Sequence, residues 1–531
     1  MNYFTTSQAQ NQYLILSFFI FFCNFRCRSL QIQVIQIKRR LLGIFKELFP
    51  HNKDEVIKIK ERLENFSVRK PAKAGIFYIG TNIFTKLVSL LATPLFTRLL
   101  LPEEYGIYSL YVSWMGIISV VVALGISGGT IYRALGRFKD NQNELISNAI
   151  GILLTSGAAL SVLTLVLGKF SQKITGLSPL LNCMLIFEVF LNASEAVIFA
   201  LYRYKYSYVR ICLINLLYAV ISVGVAVVLI YFTPIKAEAR IYSSFFASLV
   251  LILPLLKPHL KLKKLYEKNI WEYLLKLSLP LLPNAVSTVF IAQTDKLMIR
   301  SFDSTAALGK YSIAYSVGFM PTALTAALYS ALQPWLMRKL NSGNTEAART
   351  LIRRIIYLTS LGLLLFLLLI PEIFRLIAAE NYRDAEFAVY PLAVAGYLQF
   401  VSNILAANII HTEKTAVISV AGIIAFGFNL FANLLFIPSH SYKAAALTTA
   451  LSYLLLIAFE YFYLNKISEE KVVDLKALRP IAFGAAAIPI YLLRGIFLSR
   501  LIFALTVILI SLPVLIEFTK AFLERRNEKA A

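Results

Sequence analysis

The chain has 531 residues, 58% of them hydrophobic and only 15% charged, with a mean hydropathy of +0.68. Soluble domains carry about a quarter charged residues, so this composition excludes a soluble enzyme or a DNA-binding domain and points to a membrane domain of many spans. The net charge of +24, from 53 Lys and Arg against 29 Asp and Glu, sits between long apolar runs; it predicts orientation in an anionic membrane, with no nucleic acid as partner.

In chain order, residues 1–70 come first and stand apart. Residues 13–23 form an apolar run too short to cross a bilayer, and no basic segment precedes them as in a signal peptide. Leu41, Leu42, Phe45, Leu48 and Phe49 recur at helical spacing among Lys38, Arg39, Arg40 and Lys46, a pattern suited to a helix lying on an anionic surface. A poorly ordered extension or a misassigned start is the alternative.

From residue 74 roughly fourteen runs reach the length of about 20 apolar residues that a membrane helix needs. They are 74–99, 107–127, 145–167, 177–201, 211–232, 241–256, 273–299, 311–336, 351–377, 385–407, 415–437, 444–464, 480–498 and 501–518. Alternate loops hold most of the Lys and Arg: Arg133 to Lys139, Arg203 to Arg210, Lys257 to Lys268, Arg338 to Arg354 and Lys466 to Arg479. This bias predicts that these loops and both termini are cytoplasmic. Every loop is short, which leaves no room for a folded extramembrane domain. Cys23, Cys27, Cys183 and Cys212 make no Cys-x-x-Cys pair, so neither a zinc site nor a disulfide framework is implied.

An internal repeat links the two halves. Gly106-x-Tyr108-Ser109 opens the second span and Gly309-x-Tyr311-Ser312 the eighth, six spans apart and therefore in the same orientation, as in a parallel six-plus-six repeat. The segment Thr97-Arg98-Leu99-Leu100-Leu101-Pro102-Glu103-Glu104-Tyr105-Gly106-Ile107-Tyr108-Ser109 resembles the first-loop signature of the polysaccharide transporters, the O-antigen-type flippases. Thr294 to Ile299, followed by Leu308 to Ser312, resembles their second signature. Their superfamily also contains multidrug/toxin extruders and the peptidoglycan lipid flippase.

The resemblance covers about residues 74–518, whereas members usually begin shortly before span one. It implies an all-α integral membrane fold with two six-helix lobes across a central cavity and two further C-terminal helices. The expected divisions are an interfacial or cytoplasmic extension (1–73), a first lobe (74–256), a basic linker (257–272), a second lobe (273–464) and the extra helices with a basic tail (465–531). The implied activity is movement of an undecaprenyl-diphosphate-linked oligosaccharide across the bacterial cytoplasmic membrane for surface polysaccharide such as O-antigen. Implied partners are that cargo, membrane lipids, and a polysaccharide polymerase with other assembly proteins.

The chain has no Walker A sequence, HExxH or nucleophile elbow, and its four His residues avoid the middles of spans. No catalytic residue, metal or cofactor is expected. Charges inside spans are the informative residues, because each costs about 2.5–3.5 kcal/mol at mid-helix on insertion scales. Lys86 lies midway along span one among Asn82, Thr85 and Ser89; it either lines the cavity toward an anionic cargo or pairs with a carboxylate of a neighbouring helix. Glu188, Asn192 and Glu195 share one face of span four, where the carboxylates suit ion coupling or a balance for Lys86, with Glu195 alternatively snorkelling. Asp295 and Lys296, near the outer end of span seven, either gate the outward cavity or pair with each other's neighbours at the interface. Pro280 and Pro283, with Asn284 beside them and assigned to the cavity, predict a kink in that span. Asn429 with Asn433, and Gln399 with Asn403, fit bonds between helices better than sugar contacts.

Two rivals stay open. A multidrug extruder shares the repeat, but an anionic-cargo lysine fits it poorly. A membrane-embedded polymerase or glycosyltransferase would need a large outer loop, which this chain lacks.

Overall fold

The computed structural model describes residues 91–126, 129–205, 207–260, 265–412 and 416–467, with residue 88 and parts of 473–509. The extension 1–73, Lys86 and its neighbours Asn82, Thr85 and Ser89 lie outside the described residues. By its internal contacts the chain divides into Met1–Lys73 and Ala74–Ala531.

Every regular element among the described residues is helical. In order they are α1 (91–99), α2 (Pro102–Ala123), α3 (Gly129–Arg137), α4 (Gln142–Leu167), α5 (Lys169–Thr175), α6 (Pro179–Tyr204), α7 (Tyr208–Phe232) and α8 (Ala239–Leu256). Then follow α9 (Lys268–Ser278), α10 (Leu282–Phe302), α11 (Thr305–Gly318), α12 (Thr322–Asn341), α13 (Thr345–Ile377), α14 (Glu386–His411), α15 (Ala416–Ile467) and α16 (Ala487–Leu492). Eight of the helices are long and apolar enough to cross a membrane by length and composition.

Local sequence sets the helix ends. Pro102 opens α2 where its missing N–H costs nothing, and the Glu104 carboxylate accepts the Leu101 N–H at 2.7 Å. Ser304 and Asn344 cap α11 and α13 by accepting the N–H groups of Ala307 and Ala347, each at 3.1 Å. Helix α7 is apolar all round, with Leu213, Leu217, Val228 and Phe232 exposed; such a surface is stable against lipid tails, not water.

The seventh expected span is not one helix. It breaks into α9, a 3-10 turn at Leu279–Leu281 and α10. Pro280 and Pro283 cannot donate the backbone bonds that a continuous helix requires there. The two pieces belong to different surroundings. Ile270 and Leu274 of α9 pack with Leu135, Ile146 and Ile198 of the first half. Tyr273 meets Phe138 edge-on at 5.6 Å and lies under the Arg137 guanidinium at 4.5 Å. The linker before α9 is held too, because the Glu267 N–H donates to Asn148 at 2.6 Å. Helix α10 instead packs on α11 and α15 of the second half, and against α2. Span eight is likewise split at Phe319–Pro321, and α15 contains spans eleven and twelve, joined at Ser441 in a left-handed conformation (φ 53°).

Candidate functional site

One place where the two halves meet is the crossing of α2 and α11. A Cβ on Gly106 would collide with the Thr305 carbonyl oxygen, and one on Gly309 with that of Pro102. Thr305 stands four residues before Gly309 and Pro102 four before Gly106, so the contact is reciprocal. The repeat motif is thus the crossing point of α2 and α11, and glycine is required because backbone meets backbone.

Around this crossing the first-loop signature ties down the end of α13. Thr97 donates to the Ile377 carbonyl at 2.7 Å and Arg98 to that of Leu376 at 3.2 Å. Both satisfy carbonyls that the helix C-terminus leaves open. In return Tyr382 donates to the Leu100 carbonyl at 2.9 Å. On the other flank, the Arg240 guanidinium sits 4.0 Å from the Tyr108 ring, 4.2 Å from Phe96 and 5.1 Å from Tyr105. Helices from the two halves are therefore joined here by directional bonds.

Deeper in the first lobe lies Glu188, fully buried on the face of α6 that packs against α2 and α8. Tyr111 donates to its Oε2 at 2.8 Å. Its Oε1 is buried without a hydrogen-bond partner among the described residues. Asn192, one turn on, reaches Met115 at 3.6 Å and accepts from Ser248 at 3.5 Å. The common face read from the spacing of Glu188 and Asn192 is therefore the face toward α2 and α8. Glu195 is half-buried and in no ion pair among the described residues.

The second lobe holds a matching arrangement. Asp295 on α10 is buried, and its Oδ2 accepts from Tyr311 at 2.8 Å and from Thr449 at 2.9 Å. Its Oδ1, like Glu188 Oε1, is buried without a partner among the described residues. One carboxylate thereby joins α10, α11 and α15. Beside it Asn433 donates to Asn429 at 3.0 Å and accepts from Thr448, bonds within and between the two parts of α15. Gln399 donates to Tyr453 at 3.0 Å, again a bond between helices.

Asp295 and Lys296 do not pair with each other. Successive residues of a helix point about 100° apart, and Lys296 turns away to donate to Gln293 at 3.1 Å and to lie 4.5 Å from the Tyr315 ring centroid. That side of α10 faces α2, since the Gln293 side chain would lie 3.3 Å from a Cβ on Gly116. Lys296 thus lies on the side of α10 toward α2, whereas Asp295 faces α11 and α15. Asn284 falls in the first turn of α10, just past the proline break. No group of three or more His, Cys, Asp or Glu able to hold a metal ion occurs among the described residues.

Sequence reasoning missed several partners. Tyr111 and Tyr311 lie in or beside the repeat motif, whose recurrence was the available signal. Glu460 of α15 is buried beside Ser402, and a carboxylate late in an apolar run could have been found from its insertion cost. Arg500 makes a two-pronged pair with Glu372 at 2.6 and 2.8 Å. No sequence signal joins residues so far apart.

Comparison with known proteins gives a consistent picture. A family model described as "Polysaccharide biosynthesis protein" matches residues 95–370. The probable low-salt glycan biosynthesis flippase Agl15 of Haloferax volcanii is 24% identical over 404 residues, covering 74% of this chain and 83% of that one. The lipid II flippase MurJ in an inward closed conformation superposes with a TM-score of 0.65 at 13% identity, over 84% of this chain and 99% of that one. An inward-facing multidrug resistance MATE transporter of the MOP superfamily superposes with a TM-score of 0.59 at 14% identity, over 77% and 99%. At these identities the solved structures show a shared fold.

Proposed function

Because the chain belongs to the polysaccharide biosynthesis protein family, whose model spans just over half of it, we propose that it flips an undecaprenyl-diphosphate-linked oligosaccharide from the cytoplasmic to the outer leaflet of a bacterial cytoplasmic membrane. The observation that carries this reading is the reciprocal crossing of Gly106 and Gly309 beside a glycan-family loop signature. It supplies two equivalent lobes that can rock about a fixed contact. The loops rich in Lys and Arg and both termini lie in the cytoplasm, following the charge bias.

In the cycle we propose, the end opposite the basic loops is closed by Thr97, Arg98, Tyr382 and the Arg240 cage. Cargo enters from the basic side. Lys86 and Lys296 meet its diphosphate, with Asn284 at the cavity wall by the proline break. An ammonium group in a dry cavity is costly until an anion reaches it, which favours an anionic cargo over a cationic drug. Glu188 and Asp295, each held by a tyrosine with one oxygen unpartnered, take up a proton or another cation. Loading one carboxylate changes the bonds among three helices of its lobe, and the Pro280 break lets the lobes move apart. Glu195 follows Glu188 in this scheme. Lys296, on the α2 side of α10, also gates the path while Asp295 reports its state to α11 and α15, and a polysaccharide polymerase and other assembly proteins are the further partners.

Complementation tests the reading. Cells lacking their own oligosaccharide flippase should regain surface polysaccharide when they express this chain. Lys86→Ala should abolish that rescue at matched membrane abundance, and Lys86→Arg should retain part, since it keeps the charge but alters shape and reach. Full rescue by Lys86→Ala removes Lys86 from the mechanism. No rescue by the wild-type chain, together with efflux of cationic dyes, supports the extruder instead.

A further inference from the structure

At the basic end of the first lobe, away from the crossing, four helix ends converge on a cavity of about 410 Å³. Lys205 and Arg210 bring two cations to its wall from the α6–α7 turn, with the Ser207 hydroxyl between them. Asn143 lines it from the start of α4 and His259 from the turn after α8. Glu144 is the one carboxylate in the wall of this cavity, against two cations. A second cavity of about 360 Å³ shares Asn143, Glu144 and Lys205 and adds Lys139 with the carboxylate of Asp140. Among the described residues, neither Lys205 nor Arg210 has an ion-pair partner. Two cations converging on a polar cup with hydroxyl and amide donors form an oxyanion receptor.

The surface beside the cup indicates where the anion comes from. Val209, Leu213 and Leu217 are exposed at four-residue spacing on α7, an apolar stripe that starts next to Arg210. Acyl chains can lie along such a stripe while the headgroup turns into the cavity. We infer that this cavity is a second binding site, distinct from the transport path, for the phosphate of an anionic phospholipid headgroup, with its acyl chains along α7. The inference does not depend on which cargo the protein carries.

The test uses the purified full-length chain in detergent and counts retained lipid by native mass spectrometry. The probes are phosphatidylglycerol, phosphatidylcholine with the same acyl chains, and inorganic phosphate. Wild type should retain phosphatidylglycerol over phosphatidylcholine. The double variant Lys205→Ala/Arg210→Ala should bind it at least about ten-fold more weakly, as expected for the loss of two charge-assisted contacts. Lys205→Arg/Arg210→Lys should restore binding, which shows that the alanine variant fails in chemistry and not in folding. Lys257→Ala, which removes a charge from the same face outside the cavity, should change nothing. Binding of inorganic phosphate without phosphatidylglycerol, lost in the same double variant, overturns the lipid assignment and makes soluble phosphate the occupant. Equal retention of phosphatidylglycerol by wild type and the double variant, or equal loss in Lys257→Ala, overturns the site altogether.

Discussion

Gly106 and Gly309 each face the backbone carbonyl that stands four residues before the other, Thr305 and Pro102 respectively. No side chain fits at either position without moving a helix. Gly106→Ala and Gly309→Ala should therefore each destabilise the protein by about 1–3 kcal/mol, the usual range for overpacking. Because both act on one contact, the double variant should cost less than the sum of the singles. Thermal unfolding in detergent measures this, and strict additivity would contradict a shared crossing.

The tyrosine–carboxylate pairs give a second prediction. Tyr111→Phe removes the hydrogen bond from Tyr111 to Glu188 and should cost about 1.5–3 kcal/mol, as for other bonds to charged acceptors. Tyr311→Phe should cost less, because Thr449 still donates to Asp295. Unfolding midpoints of the two variants check the order.

The closed end gives a third. Thr97→Val keeps the size of the side chain but loses its bond to Ile377, and Tyr382→Phe loses the bond to Leu100. Each removes about 0.5–1.5 kcal/mol from the closed arrangement. Cysteines introduced at the exposed residues Leu101 and Leu376 should then be labelled faster by a membrane-impermeant maleimide than in the parent. Thr97→Ser should label at the parent rate.

His259 supplies a pH dependence. Burial holds its imidazole below the usual histidine range, with the nearby Lys205 charge pushing the same way and a backbone bond involving Asn143 opposing. A histidine whose folded pKa is lowered leaves the unfolded chain binding more protons just below neutrality. Stability should rise as pH increases through the window between the lowered value and about 6.5. Lys205→Ala should narrow that window, because one lowering influence is gone. Histidine resonances followed by NMR titration would show it, and an unchanged midpoint would contradict the contact.

Much of the fold was legible because each cue was local. Proline and acidic residues mark the start of α2, long apolar runs mark most spans, and Pro280 and Pro283 mark the break in span seven. The same cues could not say that α9 would join the core of the first lobe, since the apolar face of Ile270 and Leu274 fits either neighbour. Glu188 and Asp295 stood out as costly charges in apolar runs. Their partners Tyr111, Tyr311 and Thr449 did not, because a tyrosine or threonine in a span is inexpensive until it is seen to bond. The separate paths of Asp295 and Lys296 were also beyond sequence, since adjacency in the chain suggests shared chemistry where the helix directs them apart.

Translocation in a purified system is the most direct test of the transport reading. The full-length protein would be reconstituted into vesicles with a fluorescent undecaprenyl-diphosphate oligosaccharide, and an impermeant quencher or glycan-cleaving enzyme would report how much of the glycan changes leaflet. Protein-containing vesicles should expose internal glycan to the outside well above the rate of empty vesicles, and Glu188→Gln with Asp295→Asn should remove most of that excess while the protein stays folded. Equal rates in empty and protein-containing vesicles, under an imposed ion gradient of either direction, would contradict it.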